Sequence, residues 1–218
     1  MPDPSTTALG QSNKFLQRAY DLTGATDAEQ LYNEWASTYD GDLESEYASP
    51  QRTVEAVIKH LDDNKSNLKI LDAGCGTGLV GDEFAKSSLK EKFVIDGLDL
   101  TPGMLEAARK KGVYQDLETA DLTKPINRTD GSYDVVTCVG TLTKGHVGPA
   151  VFNEFVRVLR KGGLVAATVH EEIWESGGYK SVVEGLGKAG EVEVVGTEAF
   201  GILKGETRGG VMVVLRKN

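Results

Sequence analysis

From residue 67 onward the chain alternates short apolar runs with longer stretches carrying an apolar stripe of helical period. "NLKILDA" (67–73) and "KFVIDGLDL" (92–100) have the length and continuity of buried strands. "VYQDLETADL" (113–122), "YDVVTCVG" (133–140) and "GLVAATVH" (163–170) predict three more. Between them, "TPGMLEAARKKG" (101–112) carries helix punctuation: Thr101 as cap, Pro102 in the first turn and Gly112 as the stop. "GPAVFNEFVRVLRKGG" (148–163) puts Val151, Phe152, Phe155, Val156 and Leu159 on one stripe. "GGYKSVVEGLGKAG" (177–190) reads as a helix bracketed by glycines. "EVEVVGTEAF" (191–200) and "GVMVVLRKN" (210–218) read as a terminal antiparallel pair. Strands separated by helices predict an α/β protein with a Rossmann-like, doubly wound, mostly parallel sheet.

Upstream the pattern weakens. The first 25 residues are polar, apart from a turn of helix at "NKFLQRAYDL" (13–22). "TDAEQLYNEWASTYD" (26–40) opens with a capping box, Thr26 with Glu29, and predicts a helix. Pro50 starts the next one, whose "VEAVIKHLDDN" (54–64) reads as a surface helix. This divides the chain into an N-terminal segment with a helical lid (1–48) and a main domain (49–218).

Charge then narrows the chemistry. With 24 basic against 33 acidic residues the net charge is −9, which argues against DNA or RNA, because phosphate contacts need clustered Lys and Arg. No apolar run approaches the roughly 18 residues that span a bilayer, so no membrane partner is expected. The N-terminus lacks a basic start and an apolar segment, so no secretory signal is read. Two cysteines make no disulfide framework and fit a reducing, cytoplasmic setting.

The most informative stretch is "KILDAGCGTGLVGDEF" (69–84). From Gly76 it spells G-T-G-L-V-G, the dinucleotide fingerprint; from Asp72 it spells D-A-G-C-G-T-G, a loop for S-adenosylmethionine. A glycine-rich turn can also be plain punctuation. An unpaired carboxylate at Asp72 would repel a pyrophosphate and favour an ammonium or sulfonium. Asp99, ending the second strand, suits two ribose hydroxyls of either ligand; a helix-capping role is less apt because Thr101 already supplies a cap. Asp121 in "ADLTKP" could accept from an adenine amino group, with Leu100 and Leu122 flanking the ring, or be a simple turn aspartate. The balance favours S-adenosylmethionine.

"ILDAGCGTGLVG", "GLDLTPGMLEAA", "ADL", "YDVVTCVG" and "LRKGGLVAATV" stand in the order and spacing of class I S-adenosylmethionine-dependent methyltransferases, which the chain resembles over about residues 66 to 217. "LYNEWASTYDGDLESEYASPQRTVEAV" with "VGTLTKGHVGP" is similar to the methyltransferase-like proteins of the Williams–Beuren chromosomal region. The resemblance implies seven strands in the order 3-2-1-4-5-7-6, the last antiparallel. It implies that Ala73, Gly74, Cys75, Gly76, Thr77 and Gly78 surround the methionine portion, that Met104 packs by the nucleoside, and that Asp121 and Leu122 meet the adenine. Cys138 and Val139 would pass beneath the sulfonium. "CVGT" departs from the N-P-P-Y of amino-methylating nucleic-acid enzymes, so the resemblance points to a small-molecule acceptor.

Transfer from a sulfonium is mainly alignment, and a general base matters only for an acceptor that must lose a proton. His146, His170 and Tyr39 are candidates, with His146 and Tyr39 preferred; each histidine also suits a polar lining or a helix cap. Cys75 and Cys138 lack metal-ligand spacing, so no metal site is expected. Tyr32, Trp35 and Tyr39, with Tyr47, form either an apolar stripe on the sheet's flank or an aromatic lid over the cofactor, mobile without ligand. Three classes stay open: a methyltransferase, an NAD(P)-dependent oxidoreductase, and a cofactor-binding regulator without catalysis.

Overall fold

A computed structural model describes residues 14–20, 22, 25–43, 46–62 and 67–218. Residues 1–13, the start of the N-terminal segment that the sequence reading expects to be mobile without ligand over residues 1–48, lie outside these, as does the side chain of Thr26 from the predicted capping box.

The sheet has the order β3-β2-β1-β4-β5-β7-β6, formed by β1 (Leu68–Ala73), β2 (Phe93–Asp99), β3 (Asp116–Thr119), β4 (Tyr133–Leu142), β5 (Leu159–His170), β6 (Val192–Gly201) and β7 (Gly209–Lys217). β1 runs parallel to β2 and β4, while β7 is antiparallel to both β5 and β6. Successive residues of one strand serve opposite faces. Leu71 packs with Phe152 and Phe155 of α7 (Val151–Val158), whereas Ile70 packs with Val54 and Val57 of α4 (Ser49–His60) and Phe84 of α5 (Leu79–Lys86). Both faces are thus covered, which is why the central strands read as unbroken apolar runs.

The structure differs from the sequence reading at several points. α7 stops at Val158 because Leu159 turns extended and pairs with Tyr133, starting β5 early. The Lys217 ammonium takes the carbonyls of Arg157 and Leu159 at 3.3 and 2.8 Å, replacing a glycine cap. β3 keeps only four of the ten expected residues, because Tyr114 turns inward beneath the glycine loop. α4 is no surface helix: Pro50, Thr53, Val54 and Val57 are buried against the sheet.

The N-terminal region supplies α1 (Lys14–Tyr20), α2 (Ala25–Trp35) and α3 (Tyr39–Leu43). α2 starts at Ala25, so Thr26 lies inside its first turn rather than at the cap. Trp35 is 1% exposed, stacked on Phe15 and Tyr32, and its indole N–H donates to Asp42 at 2.7 Å. This cap rests on α6 (Pro102–Lys111) and returns to the sheet where Tyr47 bridges Leu203. Among the described residues no helix is long and apolar enough to cross a membrane. α8 (Glu171–Trp174) and α9 (Tyr179–Lys188) complete the chain.

Candidate functional site

The carboxyl ends of β1, β2 and β4 open onto a cleft at the switch point where crossovers leave the sheet in opposite directions. The cap closes its other side. Thirteen of the expected residues line it: Tyr32, Tyr39, Gly74, Cys75, Gly76, Thr77, Asp99, Leu100, Met104, Asp121, Leu122, Val139 and His146.

The loop after β1 follows left-handed backbone at Gly74 (φ 77°), Gly76 (φ 52°) and Gly78 (φ 89°), which only glycine adopts without strain. At Gly74 a Cβ would overlap Thr141 Oγ1, so the loop and the end of β4 are in van der Waals contact. At Gly76 nothing lies within 4 Å of a Cβ position, and the backbone itself lines the cleft. Asp99 fixes this loop: Oδ2 accepts from Gly76 N–H and Oδ1 from Thr101 N–H, both at 2.9 Å. Burial pushes its carboxyl up, against those two amide bonds, and each oxygen keeps acceptor capacity. Thr101 makes no side-chain cap bond, so Asp99 serves the helix start as well as the cleft.

Five expected residues stand behind the lining. Asp72 is fully buried and is not the unpaired carboxylate the sequence reading assumed. It accepts from Tyr114 Oη at 2.7 Å and Thr137 Oγ1 at 2.8 Å; burial pushes it up to about 6, opposed by those hydroxyls. It braces β1 and is not among the residues that line the cleft. Ala73 and Cys138 belong to the core under the sheet. Gly78 faces Tyr114 and Ala108, and Trp35 packs behind Tyr32 and Tyr39 as the core of the cap. His170 precedes α8 and does not line the cleft.

Tyr114 is the structural residue the sequence reading missed. A Cβ at Gly78, Gly81 or Gly97 would come within 3.0 Å of its ring. Its hydroxyl also accepts from Gly81 N–H at 3.1 Å. The last two glycines of G-T-G-L-V-G therefore make room for a tyrosine, which accounts for the literal dinucleotide match without a pyrophosphate. Tyr47, which the sequence reading put in the aromatic lid, does line the cleft, its Oη 2.5 Å from where a Cβ of Gly140 would sit; Thr141 is a lining residue that reading missed.

The cap is tied to the loop through side chains. Thr77 Oγ1 donates to Asp40, and the Lys111 ammonium lies 2.8 Å from Asp40 and 2.6 Å from Asp82. Asn33 Oδ1 accepts from Gly103 N–H at 3.0 Å. Burial holds the Tyr39 phenol well above its usual range, so it keeps its proton and suits a wall better than a base. Burial lowers His146, leaving its imidazole neutral near pH 7. Asp121 forms a turn with Thr123, accepting from its N–H at 2.9 Å and its hydroxyl at 2.6 Å, and the hydroxyl contact lowers its carboxyl. Asp121 is thus a turn aspartate that also lines the cleft.

Residues 70–163 match the family described as methyltransferase domain. Methyltransferase-like protein 27 of Homo sapiens is 35% identical over 140 residues, 63% of this chain and 56% of its own length. A ubiquinone biosynthesis O-methyltransferase of Klebsiella pneumoniae is 27% identical over 164 residues, covering 72% of this chain and 61% of its own. The chain thus spans less than two thirds of these relatives. A putative S-adenosylmethionine-dependent methyltransferase from Methanococcus maripaludis superposes with a TM-score of 0.59 at 17% identity, over 85% of this chain and 93% of that one; at that identity it shows the fold alone.

Proposed function

We propose that the chain is a class I S-adenosylmethionine-dependent methyltransferase, in keeping with the methyltransferase-domain match over residues 70–163, and that its cleft holds S-adenosylmethionine and directs methyl transfer to a small-molecule acceptor. The observation that carries the reading is the Asp99–Gly76 pair. A carboxylate fixed by two backbone amides turns its remaining acceptor capacity into the cleft, beside a glycine whose missing side chain leaves open space. That is a ready acceptor for two ribose hydroxyls. Met104 and Leu100 offer apolar contact to a nucleoside; Asp121 and Leu122 stand where a base would end; Gly74, Cys75, Gly76 and Thr77 present backbone to the amino-acid portion.

When bound, the cofactor supplies an already activated methyl group, so the chain's work is to orient and to exclude water. Tyr32, Tyr39 and Tyr47 do the latter, and their ring faces favour a positively charged neighbour by roughly 0.5–2 kcal/mol. The acidic chain, with no Lys or Arg among the described lining residues, favours a small molecule over a nucleic acid. Both cysteines are unpaired, in keeping with a cytoplasmic setting.

Calorimetry decides the cofactor. S-adenosylhomocysteine should give a saturable heat and NADH none. Heat from NADH alone would transfer the cleft to dinucleotide chemistry. A screen with a labelled methyl donor then separates an active enzyme from a cofactor-binding regulator.

A further inference from the structure

The loop after β4 carries His146 against the cap, from which Tyr32 projects; the two line the cleft together although 114 residues apart in the chain. The ring nitrogen Nδ1 lies 3.0 Å from the Lys144 carbonyl and 2.8 Å from Thr143 Oγ1. A carbonyl oxygen only accepts, so Nδ1 carries the ring proton, which the Thr143 hydroxyl shares as a second acceptor. Nε2 is then bare. It accepts from the Tyr32 hydroxyl at 3.2 Å, and the phenol oxygen keeps lone pairs for the cleft.

The ring face of Tyr32 is assigned above to shielding the cofactor, but no polar contact given to the cofactor uses the Tyr32 hydroxyl or the His146 imidazole. Both side chains line the cleft. We propose that Tyr32, backed by His146, receives the proton of the methyl acceptor, and that the acceptor is an uncharged small molecule attacking through a hydroxyl. The inference rests on the methyltransferase reading and extends it. In the step, the acceptor oxygen forms its bond to the methyl carbon as the carbon–sulfur bond breaks, with that bond's electron pair left on sulfur. The acceptor's proton passes to Tyr32 Oη while the phenol's own proton passes to His146 Nε2. The positive charge lost at sulfur reappears on the imidazolium, whose Nδ1–H stays on the Lys144 carbonyl. Tyr32 is the catalytic residue in this scheme and His146 the positioning residue behind it.

The charge pattern selects the acceptor. Among the described residues the charged side chains lining the cleft are Asp99 and Asp121, both acidic. A carboxylate or phosphate acceptor would find no Lys or Arg among the described lining residues to pair with. An ammonium acceptor has no lone pair until it loses a proton, and the tyrosine faces would hold it in that unreactive form. A neutral hydroxyl compound meets neither obstacle.

The test uses the full chain as wild type, Tyr32→Phe and His146→Ala. Tyr32→Phe keeps the ring that stacks on Trp35 and loses only the hydroxyl. Calorimetry with S-adenosylhomocysteine comes first: wild-type binding, preserved within about twofold in Tyr32→Phe, establishes that the cofactor reading stands and that the variant is folded. Its loss from wild type would sink that reading instead. A labelled methyl donor is then offered with a panel of phenols, catechols and primary alcohols, and with matched benzoates and primary amines. The expected result is label in hydroxyl compounds, with kcat lower by about 100-fold in Tyr32→Phe and about tenfold in His146→Ala, and KM unchanged. No labelled hydroxyl compound, preferential labelling of carboxylates or amines, or Tyr32→Phe within threefold of wild type would each overturn the proposal. Nitrogen NMR of the histidine rings gives a readout independent of turnover. Nδ1 should be protonated and Nε2 bare; the opposite tautomer would also overturn it.

Discussion

The two walls of the cleft are built from different materials. The strand-end wall is backbone: left-handed glycines, amide N–H groups and Asp99, all set by sheet hydrogen bonds. The cap wall is aromatic side chain, and it reaches the first wall through a few polar contacts, Thr77–Asp40, Lys111 between Asp40 and Asp82, Asn33–Gly103 and Tyr32–His146. Backbone geometry tolerates almost no substitution, whereas a side-chain wall can change shape residue by residue. A shared cofactor suits the first wall and a particular acceptor the second.

The largest effect should come from Gly74→Ala. The left-handed backbone and the overlap with Thr141 act together, and about 4 kcal/mol of stability should be lost in urea unfolding. A neutral outcome would mean the strand-end wall is as adaptable as the cap.

Asp72 tests what braces that wall. Its carboxyl titrates at about 6 in the fold against 3.8 ordinarily, so the folded chain holds the proton more tightly than the unfolded chain. Its contribution to stability is full below the unfolded value and is lost as pH rises through the folded one, a swing of about 3 kcal/mol. Asp72→Asn should flatten that part of the stability profile between about pH 4 and pH 7. An unchanged slope would show that other groups set it.

For recognition, Asp99→Ala should weaken S-adenosylhomocysteine by about 1.5–3 kcal/mol in calorimetry, with folding retained. Unchanged affinity would remove Asp99 from the site and shift recognition to the cap.

The smallest effect distinguishes the walls dynamically. Lys111→Met removes the cation shared by Asp40 and Asp82 and should cost about 1 kcal/mol locally. Amide exchange should quicken several-fold over residues 30–43 and stay unchanged in β1, and S-adenosylhomocysteine should slow it again. Equal acceleration in both would make them one cooperative unit.

The frame was legible in the sequence because its physics is local. Apolar runs marked β1, β2 and β5, and Gly112 ends α6 in left-handed backbone (φ 68°) as its spacing implied. Asp99 was readable from its place after β2. What stayed hidden depends on packing between distant segments. Tyr114 left one trace, Gly97 inside a central strand, where a glycine signals the close approach of something bulky. Trp35 shared the helical spacing of Tyr32 and Tyr39, and periodicity does not say which member of a stripe is the outermost. Asp72 looked like a ligand group because the hydroxyls that satisfy it come from residues 114 and 137.

The pairing of residues 46–48 with 202–204 has a consequence for protein engineering. Ala48 N–H donates to the Ile202 carbonyl at 2.9 Å and Lys204 N–H to the Glu46 carbonyl at 2.7 Å. These bonds involve main chain alone at a fixed register, so they form a splice junction indifferent to sequence. A chimaera that exchanges residues 25–43 for the corresponding stretch of a relative, while keeping Asn33, Asp40 and this junction, would graft a new acceptor wall onto an untouched cofactor cradle.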